Sequence, residues 1–414
     1  MRGVKRPGGP VALGVVLVAT FVTVGLGTAS KAPCADGDWT DLRQYRLLCY
    51  TDIVPLLATE QLGGGRLPFL DACVQVADQR CDEYPVLTMY VMRAAAWMAF
   101  GEFSAFFFAN ALLLLGAALV TVVATYVVAG RRALYVALAP TLVIYGTVNW
   151  DLPAVALVAA AVVAFAARRD GWAGVLLGLG AATKLYPILL VLPFVAERVR
   201  ERVPDAGISL AWWAAGAWFV VNLPFAALAP EGWFRFFSYN SSRCPDFDAL
   251  WTIGGRLAGI DACEHTALIN VASAAAFVGV ATTLWMWKIA RHPDTPRWAM
   301  AFPILVAFLL TNKVYSPQYG LWLLPWFALA LPYPRAAIAF AVTDVAVFVT
   351  RFRWFLELSA PGEGVPRGAF EIAVVARALV LVWCVALWLR REQAPLPDLR
   401  RRAPVEAEPE VAPA

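Results

Sequence analysis

The chain has 414 residues, of which 60% are hydrophobic and 15% charged, and its formal net charge is +4. Because soluble domains carry roughly 25% charged residues, this composition excludes a water-soluble protein and favours an integral membrane protein that crosses the bilayer many times. The basic residues stand in short clusters between apolar runs. That pattern is typical of membrane topology signals, so no nucleic-acid partner is predicted.

Apolar legs follow one another along most of the chain, and a spanning helix needs about 20 such residues. The predicted legs are residues 11–27, 103–130, 133–148, 152–167, 172–183, 187–196, 208–228, 268–287, 298–310, 320–331, 336–349 and 370–389. The shorter legs are predicted to be bent or half-inserted helices packed inside the bundle. The expected fold is therefore an all-α polytopic bundle of about 12 transmembrane helices, with 11–13 defensible.

Two segments of the chain leave alternatives open in this pattern. Residues 11–27 follow basic residues and precede small ones, so a cleaved signal peptide is the alternative to a first spanning helix. Residues 84–100 also look helical but contain Arg93, and a full crossing there would place Arg131 and Arg132 outside. We therefore predict that this helix enters the membrane without crossing it.

Lys/Arg clusters predict the orientation, since such clusters favour the cytoplasm. They occur within residues 2–6, 131–132, 168–169, 198–202, 288–297, 390–391 and 400–402. Both termini are then cytoplasmic, residues 29–83 form a long first extracytoplasmic loop, and residues 229–267 form a second. Residues 1–390 make up the transmembrane domain in this scheme. The Pro-, Ala- and Glu-rich segment 391–414 is predicted to be a disordered cytoplasmic tail.

Six of the seven cysteines lie outside the apolar runs and away from the basic clusters. They are Cys34, Cys49, Cys73 and Cys81 in the first loop, and Cys244 and Cys263 in the second. An even number of loop cysteines suggests disulfides in an oxidising compartment, and free thiols placed by chance are the alternative. Short loops favour Cys73 with Cys81 and Cys244 with Cys263, which leaves Cys34 with Cys49, although spacing alone leaves other connectivities open.

Polar residues cluster at the predicted outer ends of the helices, although the topology used none of them. The segments are Tyr50-Thr51-Asp52-Ile53, Asp82-Glu83-Tyr84-Pro85, Asn149-Trp150-Asp151, Lys184-Leu185-Tyr186-Pro187, residues 312–319 and Arg351-Phe352-Arg353. Ionisable groups near membrane depth are costly and usually face a cavity or one another. These segments therefore predict one polar site at the outer face.

Structural roles are the alternative for several of these residues. The alternatives are helix capping for Asn149 and Asp151, a solvated loop charge for Glu83, and interface anchoring for Arg351 and Arg353. Lys184 and Lys313 are harder to explain in this way, because apolar helix flanks each of them on both sides and neither reaches the cytoplasm easily.

Five segments, in this order, resemble the signature segments of glycosyltransferase family 87, a bacterial family of the GT-C class of polytopic transferases. They are residues 49–53, 83–88, 149–152, 182–187 and 312–319. The resemblance runs from about residue 11 to residue 390 and implies a GT-C-type bundle. It also implies an α-mannosyltransferase-like enzyme that uses a polyprenyl-phosphate sugar at the outer face of the plasma membrane. An acidic residue in the first outer loop is the usual catalytic candidate in this class, and Asp52 occupies the matching position.

The predicted chemistry needs a base, cations and hydrogen-bonding partners. Asp52 would take the proton from the acceptor hydroxyl, while Lys184, Lys313 and Arg351 would hold the leaving phosphate. The remaining donor- or substrate-binding candidates are Glu83, Tyr84, Asn149, Asp151, Tyr186, Tyr315 and Gln318. The acceptor is predicted to be an envelope lipid or glycan, and membrane lipids surround the protein.

No cofactor and no metal is predicted, because no HxxxH motif or suitably spaced carboxylate pair occurs. A transporter or flippase for a lipid-linked or polar solute is the rival hypothesis, since it would also need charges and a cavity within the membrane. Transporters often show internal repeats with broken helices in matching positions, and the flanks of the two lysine segments do not match. An inert scaffold for an envelope assembly is a third interpretation.

Overall fold

The computed structural model describes residues 10–74 and 81–400, and within these ranges every regular element is a helix. The all-α prediction is therefore confirmed. The first ten α-helices are α1 (Pro10–Lys31), α2 (Arg43–Arg46), α3 (Ile53–Thr59), α4 (Val86–Ala99), α5 (Phe103–Ala129), α6 (Leu134–Ala137), α7 (Pro140–Tyr145), α8 (Asp151–Ala166), α9 (Asp170–Thr183) and α10 (Ile188–Arg200).

The remaining α-helices begin after the turn at residues 201–203. They are α11 (Pro204–Leu228), α12 (Pro230–Ser242), α13 (Leu250–Leu257), α14 (Thr266–Arg291), α15 (Ala301–Thr311), α16 (Leu324–Leu329), α17 (Pro334–Ser359) and α18 (Arg367–Arg390). Short 3-10 helices cover Ala32–Cys34, Leu62–Gly64, Gly130–Ala133, Arg297–Met300 and Pro317–Leu323. Each predicted apolar leg is thus helical over most of its length.

Long apolar helices make this chain a multi-pass membrane protein. In the described part of the chain, five stretches are long and apolar enough to cross a bilayer: Ala12–Cys34, Phe103–Ala137, Pro204–Leu228, Thr266–Arg291 and Arg367–Arg390. Several other legs are shorter, and α4 has 14 residues, which is about 21 Å of helix against a hydrocarbon core of about 30 Å. The total number of crossings, and whether α4 crosses, stay predictions.

Proline explains why one predicted leg, residues 133–148, is broken. Pro140 opens α7, and Ala139 before it is extended, with φ −66° and ψ 124°. The proline ring disfavours helical backbone at the preceding residue and removes one N–H donor. The leg therefore splits into α6 and α7.

Glycines bring α9 unusually close to α11. A Cβ added at Gly174 would lie 2.2 Å from the carbonyl oxygen of Leu210, and one at Gly178 would lie 2.2 Å from that of Ala214. Small residues four positions apart allow such close helix packing in membranes. The contact fixes α9, and Lys184 follows directly at its carboxyl end.

A buried ion-pair network explains how α18 tolerates Arg377 within an apolar leg. The guanidinium of Arg377 lies 3.2 Å from Oδ1 of Asp344 on α17 and 3.4 Å from Oδ2 of Asp248 in the second loop. All three side chains are buried. Because an unpaired charge would be costly there, the network holds α17, α18 and the second loop together.

Three disulfides lie in the two predicted outer loops. They join Cys73 to Cys81 and Cys244 to Cys263, the two pairs that short loops favour, and Cys34 to Cys49, the pair that remained. Cys384 is free and buried in α18. The first loop (residues 29–83) and the second loop (residues 229–267) are therefore each cross-linked, which limits how far their site residues can move.

The start of the predicted tail packs against the bundle. The Leu399 amide donates to the carbonyl of Ala166 at 3.2 Å, and Nζ of Lys288 donates to the carbonyl of Arg391 at 2.6 Å. Hydrogen bonds to backbone groups thus hold Arg391 and Leu399 to the bundle, and the disordered cytoplasmic tail stays a prediction. Residues 401–414, like the basic cluster within residues 2–6, lie outside the described residues.

Candidate active site

A cavity of about 640 Å³ opens where the first loop, the second loop and residues 312–319 meet. Nine of the eleven predicted catalytic or substrate-binding residues line it: Asp52, Glu83, Tyr84, Asn149, Lys184, Tyr186, Lys313, Gln318 and Arg351. The structure does not bring Asp151 or Tyr315 to its surface. A volume of this size lies within the range of small-molecule sites, roughly 300–1,000 Å³.

Asp52 immediately precedes α3, and the backbone around it is tied to the turn before α8. Its amide donates to the carbonyl of Val148 at 2.9 Å, and Thr51 Oγ1 donates to that of Thr147 at 2.9 Å. The Asp52 side chain does not cap α3. The side chain is therefore available to the cavity. Thr147 and Val148, which hold the backbone here, lie 96 positions further along the chain than their partners Thr51 and Asp52.

Both oxygens of the Asp52 carboxylate accept hydrogen bonds. The Tyr50 hydroxyl donates to Oδ1 at 2.8 Å, and Nδ2 of Asn149 donates to Oδ2 at 2.8 Å. Burial raises the pKa of Asp52 above its ordinary value, and these two hydrogen bonds oppose the effect only in part. The result is an oriented carboxylate that is more basic than a solvated one.

Asn149 connects this carboxylate to a cation. Its Nδ2 also lies 2.7 Å from the Tyr84 hydroxyl, and its Oδ1 accepts from Nζ of Lys184 at 3.2 Å and from the Trp150 amide at 2.7 Å. Asn149 therefore orients the catalytic candidates rather than capping α8, which was the alternative interpretation.

Asp151 lies behind Lys184 and not in the cavity. Its Oδ2 is 3.5 Å from Nζ of Lys184, and its Oδ1 accepts a hydrogen bond from Nε1 of Trp322 at 2.8 Å. The side chain is fully buried. Asp151 thus contacts Lys184 on the side away from the cavity. This position fits neither direct substrate binding nor helix capping.

Three stacked rings form one wall of the cavity. Trp322 lies between Tyr186 and Tyr319, with ring centroids 4.1 Å apart on both sides and interplanar angles of 13° and 19°. Because Trp322 covers one face of Tyr186, that face is not available to stack on a sugar. The stack makes a rigid surface beside Lys184, whose Nζ lies 5.8 Å from the Tyr319 centroid.

Lys313 contacts the end of α12. Its Nζ donates to the carbonyls of Ser241 at 3.1 Å and Arg243 at 2.9 Å. Burial, together with the nearby Arg243 guanidinium, lowers the pKa of Lys313 to about 8. The ammonium group therefore both ties two segments together and carries a charge that is lost just above neutral pH.

Arg351 borders the cavity but is already paired with two carboxylates. Its NH2 lies 3.2 Å from Oδ1 of Asp246, and its NH1 bonds to Asp248. Burial alone would raise the pKa of Asp246, but Arg351 and Arg243 lower it below its ordinary value. Arg351 is thus less free to hold a phosphate than its sequence position suggests, and it is not a simple interface anchor.

Tyr315 lies on the far side of this ion-pair network. Its ring centroid is 3.8 Å from Cζ of Arg377, and its side chain is buried beside Asp248. The predicted contact of Tyr315 with sugar or phosphate is therefore not supported. The cation–π contact explains why the ring turns toward α18 and away from the cavity.

Sequence reasoning assigned no role to three residues that the structure places in the cavity wall: Tyr50, Arg243 and Asp246. Tyr50 lies within the segment that contains Asp52, two positions away. Arg243 is next to Cys244, and an arginine beside a cysteine with a predicted disulfide was the available signal. Asp246 lies in a polar loop with no helical pattern around it, so no signal in the sequence pointed to it.

Taken together, these side chains combine a proton acceptor with several cations around one cavity. Such an arrangement can deprotonate a hydroxyl and stabilise a leaving anion in the same site.

One comparison with known proteins identifies a family for this chain. The model of glycosyltransferase family 87 matches residues 83–311, which is more than half of the chain. No curated protein matches. Among solved structures, the chain is similar to the crystal structure of ArnT from Cupriavidus metallidurans bound to undecaprenyl phosphate. The two share 16% identity over 92% of this chain and 76% of the other, with a TM-score of 0.43.

Proposed function

The chain belongs to glycosyltransferase family 87, and from that membership we propose that it transfers a hexose, mannose, from a polyprenyl phosphate to an envelope lipid or glycan at the outer face of the plasma membrane. The observation that carries the proposal is the hydrogen-bonded series from Asp52 through Asn149 to Lys184. This series supports the proposal because a candidate proton acceptor and a cation bond to the same amide group at the cavity surface.

Asp52 is the general base in this reaction. It accepts the proton of the acceptor hydroxyl as the hydroxyl oxygen bonds to the anomeric carbon of the sugar. The bond between that carbon and the phosphate oxygen breaks, and polyprenyl phosphate leaves. General base catalysis of this kind contributes roughly 10²–10⁴-fold in rate.

Lys184 and Lys313 hold the phosphate, whose charge grows as it leaves. Lys184 is fixed by Asn149 and Asp151, and Lys313 has two donors committed to the carbonyls of Ser241 and Arg243. Preorganised cations of this kind act most strongly where charge develops in the transition state. Arg351 borders the same site, but because Asp246 and Asp248 already pair with it, we assign it a weaker role.

An apolar crevice with about 10 Å³ of open space adjoins the cavity. It is lined by Phe69, Val86, Ala181, Trp218, Asn222, Trp233 and Phe237, and it shares Tyr84, Pro85, Leu185 and Phe236 with the cavity. The crevice has no room for a prenyl chain as it stands, but its residues offer an apolar surface next to the phosphate site on which such a chain would lie. No Gly-rich phosphate loop on a strand–helix turn occurs in the described residues, as a nucleotide-sugar site of that type would require.

The transporter and scaffold hypotheses have no comparable support. Family membership names a transferase, and no contact in the cavity specifically favours transport. The acidic residue Glu83 lines the cavity beside Tyr84 and is the substitute base if Asp52 does not serve.

The class of sugar donor that the protein uses tests the proposal directly. Purified protein in liposomes would be given membranes from a strain that lacks it, as the source of acceptor, and one of three labelled donors: polyprenyl-phosphate mannose, polyprenyl-phosphate glucose or GDP-mannose. We expect transfer from polyprenyl-phosphate mannose and none from GDP-mannose. Transfer from GDP-mannose without a lipid donor would contradict the mechanism, and efficient transfer from the glucose donor would contradict the choice of mannose.

A further inference from the structure

Helix α12 forms part of the cavity wall and is fixed near its start. A Cβ added at Gly232 would lie 2.7 Å from the carbonyl oxygen of Phe69, so the helix touches the first-loop backbone directly. Arg235, one turn further on, lies 3.6 Å from Oδ2 of the buried Asp82. The cavity-lining residues of this helix are Phe236, Tyr239 and Asn240.

Several contacts also fix the end of α12. The Lys313 ammonium donates to the carbonyls of Ser241 and Arg243, and the Asp246 amide donates to the carbonyl of Lys313 at 2.9 Å. Asn270 on α14 donates to the same Ser241 carbonyl at 2.8 Å. Cys244, the next residue after Arg243, is bonded to Cys263. The backbone at Arg243 is therefore held by residues from three other segments.

The Arg243 side chain has more freedom than the other cations of the cavity. It is 28% exposed, compared with 10% for Lys184 and 14% for Arg351. Its guanidinium lies 3.8 Å from Oδ2 of Asp246, a looser pair than the 3.2 Å contact between Arg351 and that residue's Oδ1. Asp246 would still be paired with Arg351 if Arg243 turned toward a ligand.

We propose that Arg243 contacts the phosphate of the lipid-linked donor and that the Cys244–Cys263 disulfide positions it for this contact. The proposal rests on the proposed function, and it adds a residue that sequence reasoning did not identify. A guanidinium on a fixed backbone can form two parallel hydrogen bonds to phosphate oxygens, which a lysine cannot. When Arg243 turns from Asp246 to the phosphate, Asp246 keeps its contact with Arg351, so no carboxylate is left unpaired.

Binding of polyprenyl phosphate, the sugar-free product, tests the contact without depending on turnover. Arg243→Ala should raise the dissociation constant roughly tenfold or more, because a charge-assisted hydrogen bond is lost. The matched control is Arg367→Ala, which removes an arginine that pairs with Glu371 on α18 and does not line the cavity. We expect that variant to bind like the wild type.

The outcomes separate this inference from the proposed function. Equal binding by Arg243→Ala and wild type overturns the role of Arg243 and leaves the proposed function standing. A wild-type protein that does not bind polyprenyl phosphate overturns both. Weaker binding by both Arg243→Ala and Arg367→Ala also overturns the inference, since the effect would then not depend on the cavity.

A double-mutant cycle tests the positioning role of the disulfide. The pair Cys244→Ser/Cys263→Ser should weaken binding in the wild-type background but add little once Arg243 is alanine. Additive losses would overturn the role. If the serine pair does not fold, Asn270→Ala provides the same test, because it removes another contact at the end of α12. It should weaken binding about threefold only while Arg243 is present.

Discussion

The side-chain nitrogen of Asn149 lies 2.8 Å from Oδ2 of Asp52, although the two residues are 97 positions apart. The same amide group contacts Tyr84 and Lys184. A single side chain therefore sets the distance between the candidate base and a candidate phosphate ligand. Changes at Asn149 should affect catalysis without changing either charged group.

Asn149→Ala should lower kcat at least tenfold, which corresponds to about 1.4 kcal/mol of barrier. The Asp52 carboxylate and the Lys184 ammonium would both lose a partner and the orientation that it provides. Steady-state kinetics with the lipid-linked donor measures the effect, and size-exclusion chromatography checks folding. A rate within twofold of wild type would show that Asn149 does not orient the site.

Tyr50→Phe should move the acid limb of the kcat/KM profile to higher pH. The base must be ionised, so activity rises as pH passes through the pKa of Asp52, which burial raises. The Tyr50 hydroxyl stabilises the ionised form, and its removal raises that pKa further. Tyr45→Phe is the control, since Tyr45 also stacks on Phe352 but the hydrogen bond to Asp52 comes from Tyr50. An acid limb that stays in place or moves down would rule out this assignment.

The alkaline limb of the same profile should lie near pH 8. Burial and Arg243 lower the pKa of Lys313 to about 8, so its positive charge is lost as pH rises through that value. Lys313→Arg keeps a charge at any accessible pH and should shift the alkaline limb upward. If the limb is unchanged in this variant, another group is responsible for it.

Lys184→Ala should raise the donor KM at least tenfold. A charge-assisted hydrogen bond to phosphate in a partly dry site is worth about 1.5–3 kcal/mol, and the loss would leave buried Asp151 without its ion-pair partner. The double variant Lys184→Ala/Asp151→Asn separates the two effects. It should recover stability but not donor affinity, and recovered affinity would argue against a phosphate contact.

Glu60 should make the first loop less stable at neutral pH than at mildly acidic pH. Its buried carboxylate accepts the amides of Asp82 at 2.6 Å and Glu83 at 3.2 Å, and burial raises its pKa from 4.5 to about 7. The folded state thus retains a proton that the unfolded state releases, so stability falls as pH rises from about 4.5 to about 7.

Glu60→Gln should reduce this pH dependence of thermal unfolding, measured between pH 5 and pH 8. Glu363→Gln is the control, because Glu363 pairs with Arg46 at an exposed site. The same slope in the wild type and in Glu60→Gln would show that Glu60 does not titrate in this range.

Mass spectrometry of unreduced peptides should find Cys34 joined to Cys49, Cys73 to Cys81 and Cys244 to Cys263. Bonded pairs would place both loops in an oxidising compartment and therefore outside the cytoplasm. Six free thiols would contradict the pairs and would remove half of the basis for the orientation of the cavity.

The parts of this fold that the sequence predicted are those that the bilayer itself constrains. Apolar length predicted the long helices, and lysines without a route to water predicted Lys184 and Lys313 as cavity residues. The direction of the Tyr315 side chain, which was predicted to face the substrate, could not be read from the sequence, because residues 312–316 are not helical and no periodicity indicates which way each side chain turns. Its direction depends on Arg377, which lies 62 positions away.

Arg243 and Asp151 show the same limit in different ways. Arg243 lies at the cavity where Lys313 and the Cys244–Cys263 disulfide fix the end of α12; loop length predicted the disulfide, but no local pattern encodes the contact with Lys313. Asp151 belongs to a polar segment that was identified, but its burial behind Lys184 depends on Trp322. Sequence thus located the polar segments, while the tertiary contacts decided which members face the cavity.

The role of Asp52 is the central claim, and one variant tests it most directly. Asp52→Asn should bind polyprenyl phosphate like the wild type, while its rate of sugar transfer from the polyprenyl-phosphate donor falls ~10²-fold or more because the proton acceptor is gone. Single-turnover transfer of labelled sugar, measured beside product binding, distinguishes the two effects. A variant that binds normally and keeps more than about a tenth of the wild-type rate would contradict the account, because the loss would fall short of that expected for a general base.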